Sequence, residues 1–219
     1  MVPAFDEAAR IGAVVRKART HLPVLVVDDG STDETAAVAE AAGATVVRLR
    51  PNQGKGAALR AGFRWAVEQG ADAALTLDAD GQHDPAEIPA LLEARGRTGA
   101  ELVIGRRNFR QMPPIRRLAN VVGAWAVSWA VGRHIPDNQS GFRLVGLRLM
   151  EAMQASTESG FEFEVEMIAT AVRHGWSVEW VPIRTIYAGQ PSHIRPWRHF
   201  ASFIRIVRAA RATARRTRA

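Results

Sequence analysis

The chain of 219 residues contains no cysteine. Without thiols the protein can form neither a disulfide framework nor a zinc or redox site built from cysteine ligands. This absence fits a reducing compartment. In other respects the composition, with 47% hydrophobic and 23% charged residues, is that of an ordinary globular protein. The length allows a full hydrophobic core, so we expect one large domain.

Long apolar runs are also missing from the sequence. A helix that spans a membrane needs about 18 consecutive apolar residues, and the longest charge-free stretch, residues 118–132, is shorter than that. The first residues do not have the pattern of a signal peptide. Residues 116–133 nevertheless predict a very apolar helix, with Trp125 and Trp129 one turn apart. This helix is either buried in the core or lies at a membrane surface with both tryptophans at headgroup level.

Acidic residues are absent from the last part of the chain. After Glu179 the charged side chains are all arginines, and the formal net charge of +7 arises largely there. We predict a basic amphipathic helix over residues 200–219. Such a segment implies an anionic partner, which could be lipid headgroups, a nucleic acid or a phosphate-rich substrate. It favours the membrane-surface interpretation of residues 116–133, since each arginine near an anionic leaflet contributes about 1 kcal/mol.

The most informative motif is a cluster of oxygen ligands at residues 78–84. It follows an apolar run that predicts a strand. Because side chains alternate along a strand, Asp78 and Asp80 would point the same way, and Gln82 could fold back as a third oxygen ligand. Hard divalent cations such as Mg²⁺ and Mn²⁺ usually bind through one or two carboxylates together with substrate phosphates. The motif therefore indicates a metal site for a phosphate-bearing substrate.

Short apolar strands alternate with predicted helices along the first half of the chain. The strands are predicted at residues 24–27, 44–49, 73–77 and 101–104. This alternation predicts an α/β fold with a mostly parallel sheet, in which ligands bind beyond the carboxyl ends of the strands. Asp28 and Asp29, the 78–84 cluster, and Arg106 and Arg107 each follow a predicted strand. We therefore expect these groups to meet at one edge of the sheet.

Simpler interpretations exist for several of these motifs. Residues 28–31 could be no more than a turn, because Asp, Gly and Ser are common turn residues. The glycines at 54–56 match neither a P-loop nor a dinucleotide fingerprint, so Lys55 lies either at a plain helix start or on a mobile loop near a phosphate. The 78–84 segment lacks the spacing of a calcium loop. His83, beside the acidic cluster, is more typical of a surface or hydrogen-bonding residue than of a metal ligand.

Five motifs, taken in order, resemble the inverting family 2 glycosyltransferases, in particular the polyprenyl- and dolichyl-phosphate sugar synthases. The motifs lie at residues 3–7, 28–33, 52–56, 78–85 and 139–142. The resemblance implies a GT-A fold, with a Rossmann-like, mostly parallel sheet flanked by helices and a basic C-terminal helix. It implies a catalytic domain over residues 1–199. Its nucleotide-binding half would cover about 1–105 and its acceptor half about 106–199.

The same resemblance implies roles for individual residues. Those expected to bind substrate are Pro3, Phe5, Glu7, Asp28, Asp29, Lys55, Asp78 and Ser140. The ligands of a divalent cation, Mg²⁺ or Mn²⁺, would be Asp78, Asp80 and Gln82. The residues expected to act at the reacting groups, through the metal or the phosphate of the lipid acceptor, are Asp80, Arg106, Arg107, Arg116 and Arg117. The resemblance does not say which member of each arginine pair contacts the phosphate.

The implied activity is transfer of a hexose from a GDP- or UDP-sugar to a polyprenyl or dolichyl phosphate. The protein would be peripheral at the cytoplasmic face of the membrane, or cytoplasmic. A cation on Asp78 and Asp80 can neutralise the charge that develops on a diphosphate leaving group. An acceptor phosphate is already an anionic nucleophile, so it requires no strong general base.

Two alternatives to this activity remain at the level of the sequence. A soluble glycosyltransferase with a hydroxyl acceptor would need a general base, for which Asp137, Glu162 and Glu164 are the candidates. A non-enzymatic basic protein could bind nucleic acid through the arginine-rich tail. No recognition-helix pattern or aromatic RNA-binding signature accompanies that tail, so we do not expect a nucleic-acid partner.

Overall fold

The computed structural model describes residues 1–109, 112, 114–184 and 186, and residues 205, 207, 208 and 211 near the C-terminus; of residues 115 and 116 it describes the backbone. The end of the predicted catalytic domain and most of the helix predicted at 200–219 therefore lie outside the described residues. Two arginines of that C-terminal segment make defined contacts. Arg205 forms an ion pair with Glu158 (2.9 Å), and Arg211 donates to the Trp129 carbonyl oxygen (3.1 Å).

Strands and helices alternate through the described part of the chain. The strands are β1 (Val2–Ala4), β2 (Leu25–Asp28), β3 (Thr45–Arg48), β4 (Ala73–Thr76), β5 (Leu102–Arg107), β6 (Arg143–Gly146) and β7 (Val178–Ile183). The helices are α1 (Ala8–Ala18), α2 (Thr35–Ala41), α3 (Lys55–Glu68), α4 (Ile88–Thr98), α5 (Pro114–Val131), α6 (Leu147–Ala152) and α7 (Glu162–Arg173). Among these described helices, none is long and apolar enough to span a membrane.

The strands form two hydrogen-bonded groups that Met1 joins. In the first group β2 lies between β1 and β3, and all three are parallel. In the second the order is β4-β6-β5-β7, with β6 antiparallel to both neighbours and β7 parallel to β5. The Met1 nitrogen donates to the Leu75 oxygen (2.7 Å), and the Leu77 amide donates to the Met1 oxygen (3.0 Å). The predicted α/β fold with a mostly parallel sheet is confirmed.

Helices cover both faces of the sheet and form the core there. On one face α1 and α4 bury an apolar cluster that includes Ile11, Val15 and Leu91. On the other, α3, α6 and α7 bury a cluster in which the rings of Phe63 and Phe163 lie 6.1 Å apart. The apolar residues of these helices recur every three or four positions, so each helix presents one apolar stripe to the sheet.

Three local expectations differ from the structure. The polar run at 137–143 predicts a turn, but the turn ends one residue early, because Arg143 is buried and begins β6. Ser31 and Thr32 are residue types that predict a helix cap, but α2 begins only after Glu34, and the Asp33 carboxylate accepts from the Thr35 amide. Arg106 and Arg107 are the last residues of β5, where they pair with β7, rather than residues of a loop beyond the strand.

We predict that Phe63→Ala lowers the free energy of unfolding by about 3–5 kcal/mol, because it leaves a cavity between α3 and α7. Phe63 is fully buried. Urea unfolding followed by circular dichroism measures the change. Arg64→Ala, at an exposed position of the same helix, is the control and should stay within about 0.5 kcal/mol of the parent protein. Equal losses for the two variants would contradict the placement of this core.

Candidate active site

The first two motifs are joined by hydrogen bonds beyond the ends of β1 and β2. The Asp6 carboxylate accepts from the Thr32 amide (2.8 Å), and the Glu7 amide donates to the Thr35 hydroxyl (2.7 Å). Pro3 is buried within β1, whereas the Phe5 side chain is 46% exposed. The carboxylate of Glu7 forms an ion pair with Arg10 (2.7 Å). The structure thus places an exposed aromatic ring beside the loop that follows β2.

Asp28 and Asp29 are buried and hold neighbouring backbone. Asp28 accepts from the Ser31 amide (3.0 Å), which closes the turn after β2. Asp29 accepts from the amides of Gln53 (2.8 Å) and Gly54 (2.7 Å), which fixes the loop before α3. Burial raises the pKa of Asp29, although these two hydrogen bonds oppose the rise. The turn interpretation of this motif is therefore correct for its backbone, but the motif also ties two loops of the predicted nucleotide site together.

Asp78 lies in a partly buried ion cluster whose members come from distant parts of the chain. The Lys55 ammonium donates to the Asp78 carboxylate (2.6 Å) and to the Glu164 carboxylate (3.2 Å). Burial tends to raise the pKa of Asp78, but the charge and hydrogen bond of Lys55, together with the charges of His83 and Arg107, outweigh it and lower this pKa to about 2. The pKa of Lys55 is raised by the two carboxylates against the opposing effect of burial. The cluster joins the starts of α3 and α7 to the end of β4.

Asp80 is oriented by two hydrogen bonds from Gln82. The Gln82 backbone amide donates to one oxygen of Asp80 (2.9 Å) and its side-chain amide donates to the other (2.7 Å). Burial, and after it the charge of Asp78, raises the pKa of Asp80. A cleft of about 250 Å³ opens beside Asp80, and Arg10 and Lys17 of α1 lie on its opposite wall.

The chemistry of this donor set fits a hard divalent cation that has further ligands. In the described residues no group of three or more histidine or acidic side chains is arranged to hold a metal. Asp78, Asp80 and Gln82 offer oxygen atoms, the ligand type that Mg²⁺ and Mn²⁺ prefer. Such cations commonly complete their coordination with substrate phosphates. The residues therefore fit a cation that binds together with a diphosphate.

The glycines around Lys55 allow a close contact with the second half of the chain. The Gly56 amide donates to the Ser159 carbonyl oxygen (2.7 Å), and a Cβ atom at Gly56 would lie 2.7 Å from the Glu158 carbonyl oxygen. A Cβ at Gly54 would also collide with the Ser159 carbonyl. These contacts support the helix-start interpretation of residues 54–56, because they fix the backbone that carries Lys55.

The motif at 139–142 lies against the Asp78 carboxylate. A Cβ atom at Gly141 would overlap that carboxylate, so a larger residue there would displace Asp78. Ser140 is fully buried, and its hydroxyl accepts from the Phe142 amide (3.4 Å). The ring of His83 stacks on Phe142 with centroids 5.6 Å apart, and burial lowers the pKa of His83.

Arg143 is the functional residue that sequence reasoning missed. Its guanidinium is fully buried and donates to three backbone oxygens, those of Ser140 (2.7 Å), Glu164 (2.6 Å) and Asn138 (3.0 Å). It therefore joins the loop before β6 to the first turn of α7. The sequence signal was its position directly after the 139–142 motif. A charged residue there indicated a continuing polar turn instead.

The four arginines expected at the acceptor phosphate have different environments. Arg107 contacts both oxygens of the buried Asp137 carboxylate (2.8 and 2.9 Å) and donates to the Asn120 side chain of α5 (2.9 Å). Arg106 and Arg117 are exposed. Arg106 forms no ion pair with the described residues. The Arg116 side chain lies outside the described part, so its expected role remains a prediction.

Comparisons with known proteins agree with this fold and define the family. The sequence matches the family model "Glycosyl transferase family 2" over residues 1–135, so the chain belongs to that family. It is 32% identical over 198 residues to the undecaprenyl-phosphate mannosyltransferase of Micrococcus luteus, covering 84% of this chain and 81% of that protein. It is 30% identical over 199 residues to the polyprenol monophosphomannose synthase of Mycolicibacterium smegmatis, covering 84% and 75%. The protein is thus a glycosyltransferase.

Solved structures show the same architecture. Glucosyl-3-phosphoglycerate synthase from Mycobacterium tuberculosis, in complex with phosphoglyceric acid, superimposes with a TM-score of 0.72 at 22% identity. The superposition covers 97% of this chain and 78% of that one. The same synthase was also solved with Mn²⁺, uridine diphosphate and glucosyl-3-phosphoglycerate. At this identity the likeness shows the GT-A fold alone, which confirms the fold expected from the motifs.

We predict that Gly56→Ala destabilises the protein by about 1–3 kcal/mol, because the added methyl group meets the backbone of residues 158–159. Gly96→Ala is the matched control, since Gly96 lies in α4 with no heavy atom near its Cβ position. Alanine favours a helix, so this control should stabilise by about 0.5–1 kcal/mol. Thermal unfolding of both variants measures the two changes. Stabilisation by Gly56→Ala would show that the contact between α3 and residues 158–159 is absent.

Proposed function

We propose that this glycosyltransferase moves a hexose, with inversion, from a nucleotide diphosphate sugar to a polyprenyl phosphate at the cytoplasmic face of a membrane. The observation that carries the proposal is the position of α5 beside the carboxylate site. Asn120 of α5 accepts a hydrogen bond from Arg107 (2.9 Å), and the charge of Arg107 is one cause of the low pKa of Asp78. Helix α5 is therefore fixed close to the predicted metal site.

The outer side of α5 has the character of a membrane-contacting surface. Five large apolar side chains are exposed on it: Leu118 (66%), Val121 (47%), Val122 (55%), Trp125 (69%) and Trp129 (51%). A soluble surface rarely exposes so many neighbouring apolar groups without a partner. Tryptophan is well suited to the headgroup region, and nearby arginines such as Arg117 can meet anionic lipid. The names of the two relatives described above support a polyprenyl phosphate as the acceptor.

The donor would bind over the carboxyl ends of β1, β2 and β4. The exposed ring of Phe5 offers a face to the base, and Pro3, Glu7, Asp28 and Asp29 build the loops around it. Asp80, with Asp78 and Gln82, would hold Mg²⁺ or Mn²⁺, which when bound neutralises charge on the diphosphate leaving group. The solved relative that contains Mn²⁺ and uridine diphosphate supports such a cation. Ser140 would contribute indirectly, because its buried hydroxyl shapes the loop under Asp78.

A phosphate acceptor agrees with the state of two of the three candidate general bases, Asp137 and Glu164. Asp137 is fully buried and paired with Arg107, which, against the effect of burial, holds its pKa below the usual value. Glu164 is paired with Lys55 and only 3% exposed. With its pKa lowered, Asp137 is a weak proton acceptor, and Glu164 already accepts a hydrogen bond from an ammonium. An acceptor phosphate needs no such base, and Arg106, Arg107 and Arg117 supply positive charge for it.

We predict that Asp80→Asn lowers the rate of sugar transfer at least about 100-fold, because the leaving group loses charge neutralisation. The assay follows a lipid-extractable product from Mn²⁺, undecaprenyl phosphate and a panel of labelled GDP- and UDP-sugars. Asp72→Asn is the control, since the Asp72 carboxylate is 89% exposed at the other end of β4, and it should retain activity. Chelation of the metal should abolish transfer. The proposed function is wrong if the parent protein transfers sugar from no donor.

We predict that the double variant Leu118→Ser with Trp125→Ser binds anionic liposomes about tenfold more weakly, because two large apolar groups no longer enter the interface. Liposome co-sedimentation measures binding. Leu92→Ser with Leu147→Ser is the matched control, since these side chains are 38% and 36% exposed on other helices. Transfer to a short, water-soluble prenyl phosphate should be retained in both variants. Unchanged liposome binding would contradict membrane contact through α5.

A further inference from the structure

Lys55 holds two carboxylates that would otherwise repel each other. Its ammonium lies 2.6 Å from Asp78 and 3.2 Å from Glu164, and its side chain is 18% exposed. Because both carboxylates contact one nitrogen atom, they are close to each other in a site of low exposure. Two like charges in such a place require a cation between them. In the absence of ligands, the lysine is that cation.

The same contact places Lys55 in competition with a metal ion. A cation at the predicted ligand set would use oxygen atoms of Asp78 and Asp80. One Asp78 oxygen already accepts from Lys55, and both Asp80 oxygens accept from Gln82. A metal ion alone must therefore replace an existing ion pair and gains few ligands in return. A diphosphate changes this balance, because it brings further oxygen ligands for the metal and an anionic partner for the ammonium.

The surrounding structure allows Lys55 to change partner without moving its backbone. Gly56 and Gly54 pack against the carbonyls of residues 158–159, which fixes the start of α3. The ammonium can therefore leave Asp78 only by rotation of its own side chain. Glu164 remains within reach during that rotation, because Arg143 binds its carbonyl oxygen and holds the first turn of α7.

We propose that Lys55 is an exchangeable internal cation that occupies Asp78 until a nucleotide diphosphate brings the metal, and that Glu164 is the positioning residue that keeps Lys55 in reach. On binding, Lys55 leaves Asp78, stays on Glu164 and donates to a phosphate oxygen. Metal and nucleotide then raise each other's affinity, since both are needed to replace the ion pair. This inference rests on the donor part of the proposed function and is independent of the lipid acceptor.

The test is a Mn²⁺ titration of the full chain, with and without saturating UDP or GDP, corrected for Mn²⁺ held by free nucleotide. The parent protein should bind Mn²⁺ weakly when no nucleotide is present. Saturating nucleotide should raise its affinity for Mn²⁺. Lys55→Met should raise the affinity for Mn²⁺ alone about tenfold, because the competing charge is gone. It should also reduce the factor by which nucleotide raises the Mn²⁺ affinity. Arg64→Met removes the same charge from an exposed position of α3 and should change neither quantity.

The positioning role of Glu164 is tested by comparing Glu164→Gln in the parent protein and in the Lys55→Met background. Glu164→Gln should weaken Mn²⁺ binding in the presence of nucleotide, because the displaced ammonium loses its second partner. In the Lys55→Met background, Glu164→Gln should have no such effect. Lys55→Arg keeps the charge, so it should keep the weak binding of Mn²⁺ alone even if Lys55→Met fails to fold.

Three results would overturn the inference. The first is a Lys55→Met protein that binds Mn²⁺ alone as the parent does. The second is an equal effect of Glu164→Gln in both backgrounds. The third is a parent protein that binds Mn²⁺ equally well with and without nucleotide. If the parent binds neither UDP nor GDP with Mn²⁺, the proposed function fails as well. If Mn²⁺ and nucleotide strengthen each other's binding but no sugar is transferred to lipid, only the proposed lipid acceptor is contradicted.

Discussion

The fully buried guanidinium of Arg143 is the interaction on which the second half of the site depends. It donates to backbone oxygens in two segments, those of Asn138, Ser140 and Glu164. Because Gly141 lies against Asp78 and Glu164 contacts Lys55, this one side chain positions the carboxylate cluster from two directions. Arginine suits the task, since its planar group carries five donors in a fixed geometry and keeps its charge when buried.

The charges of the site compensate one another before any ligand binds. Lys55 lies between Asp78 and Glu164, and Arg107 lies on Asp137. In the proposed mechanism a ligand exchanges with these ion pairs. The pairing with Arg107 also makes Asp137 a poor general base, because it lowers the pKa of that carboxyl against the effect of burial. This arrangement of charges is consistent with an acceptor that arrives as an anion and with a donor whose diphosphate completes a metal site.

Helices and strands could be predicted where the residues of the segment itself carry the signal. They could not be predicted where burial depends on neighbouring strands that are distant in the sequence. The apolar run at 24–27 predicted β2 correctly, and Gly43, which follows α2 with a φ of 93°, is likewise a signal that lies in a short segment. Strand β6 begins at the charged residue Arg143, which is not a sign of a strand. The segment is a strand because it pairs with β4 on one side and β5 on the other. For 116–133 the core interpretation is correct on one side of α5, where Val127 is buried, and the membrane interpretation stays a prediction for the other side, where Trp125 is exposed.

The sequence by itself determined the fold class, the order of the motifs and the candidate oxygen ligands at 78–82. Periodicity, turn residues and ligand chemistry are properties of short segments, so they can be read without coordinates. Only the tertiary structure decided which charges meet. Lys55 and Glu164 are 109 residues apart, and Arg107 and Asp137 are 30 apart. Such pairs form because the sheet order brings strand and helix ends together, and that order arises from packing of the whole chain.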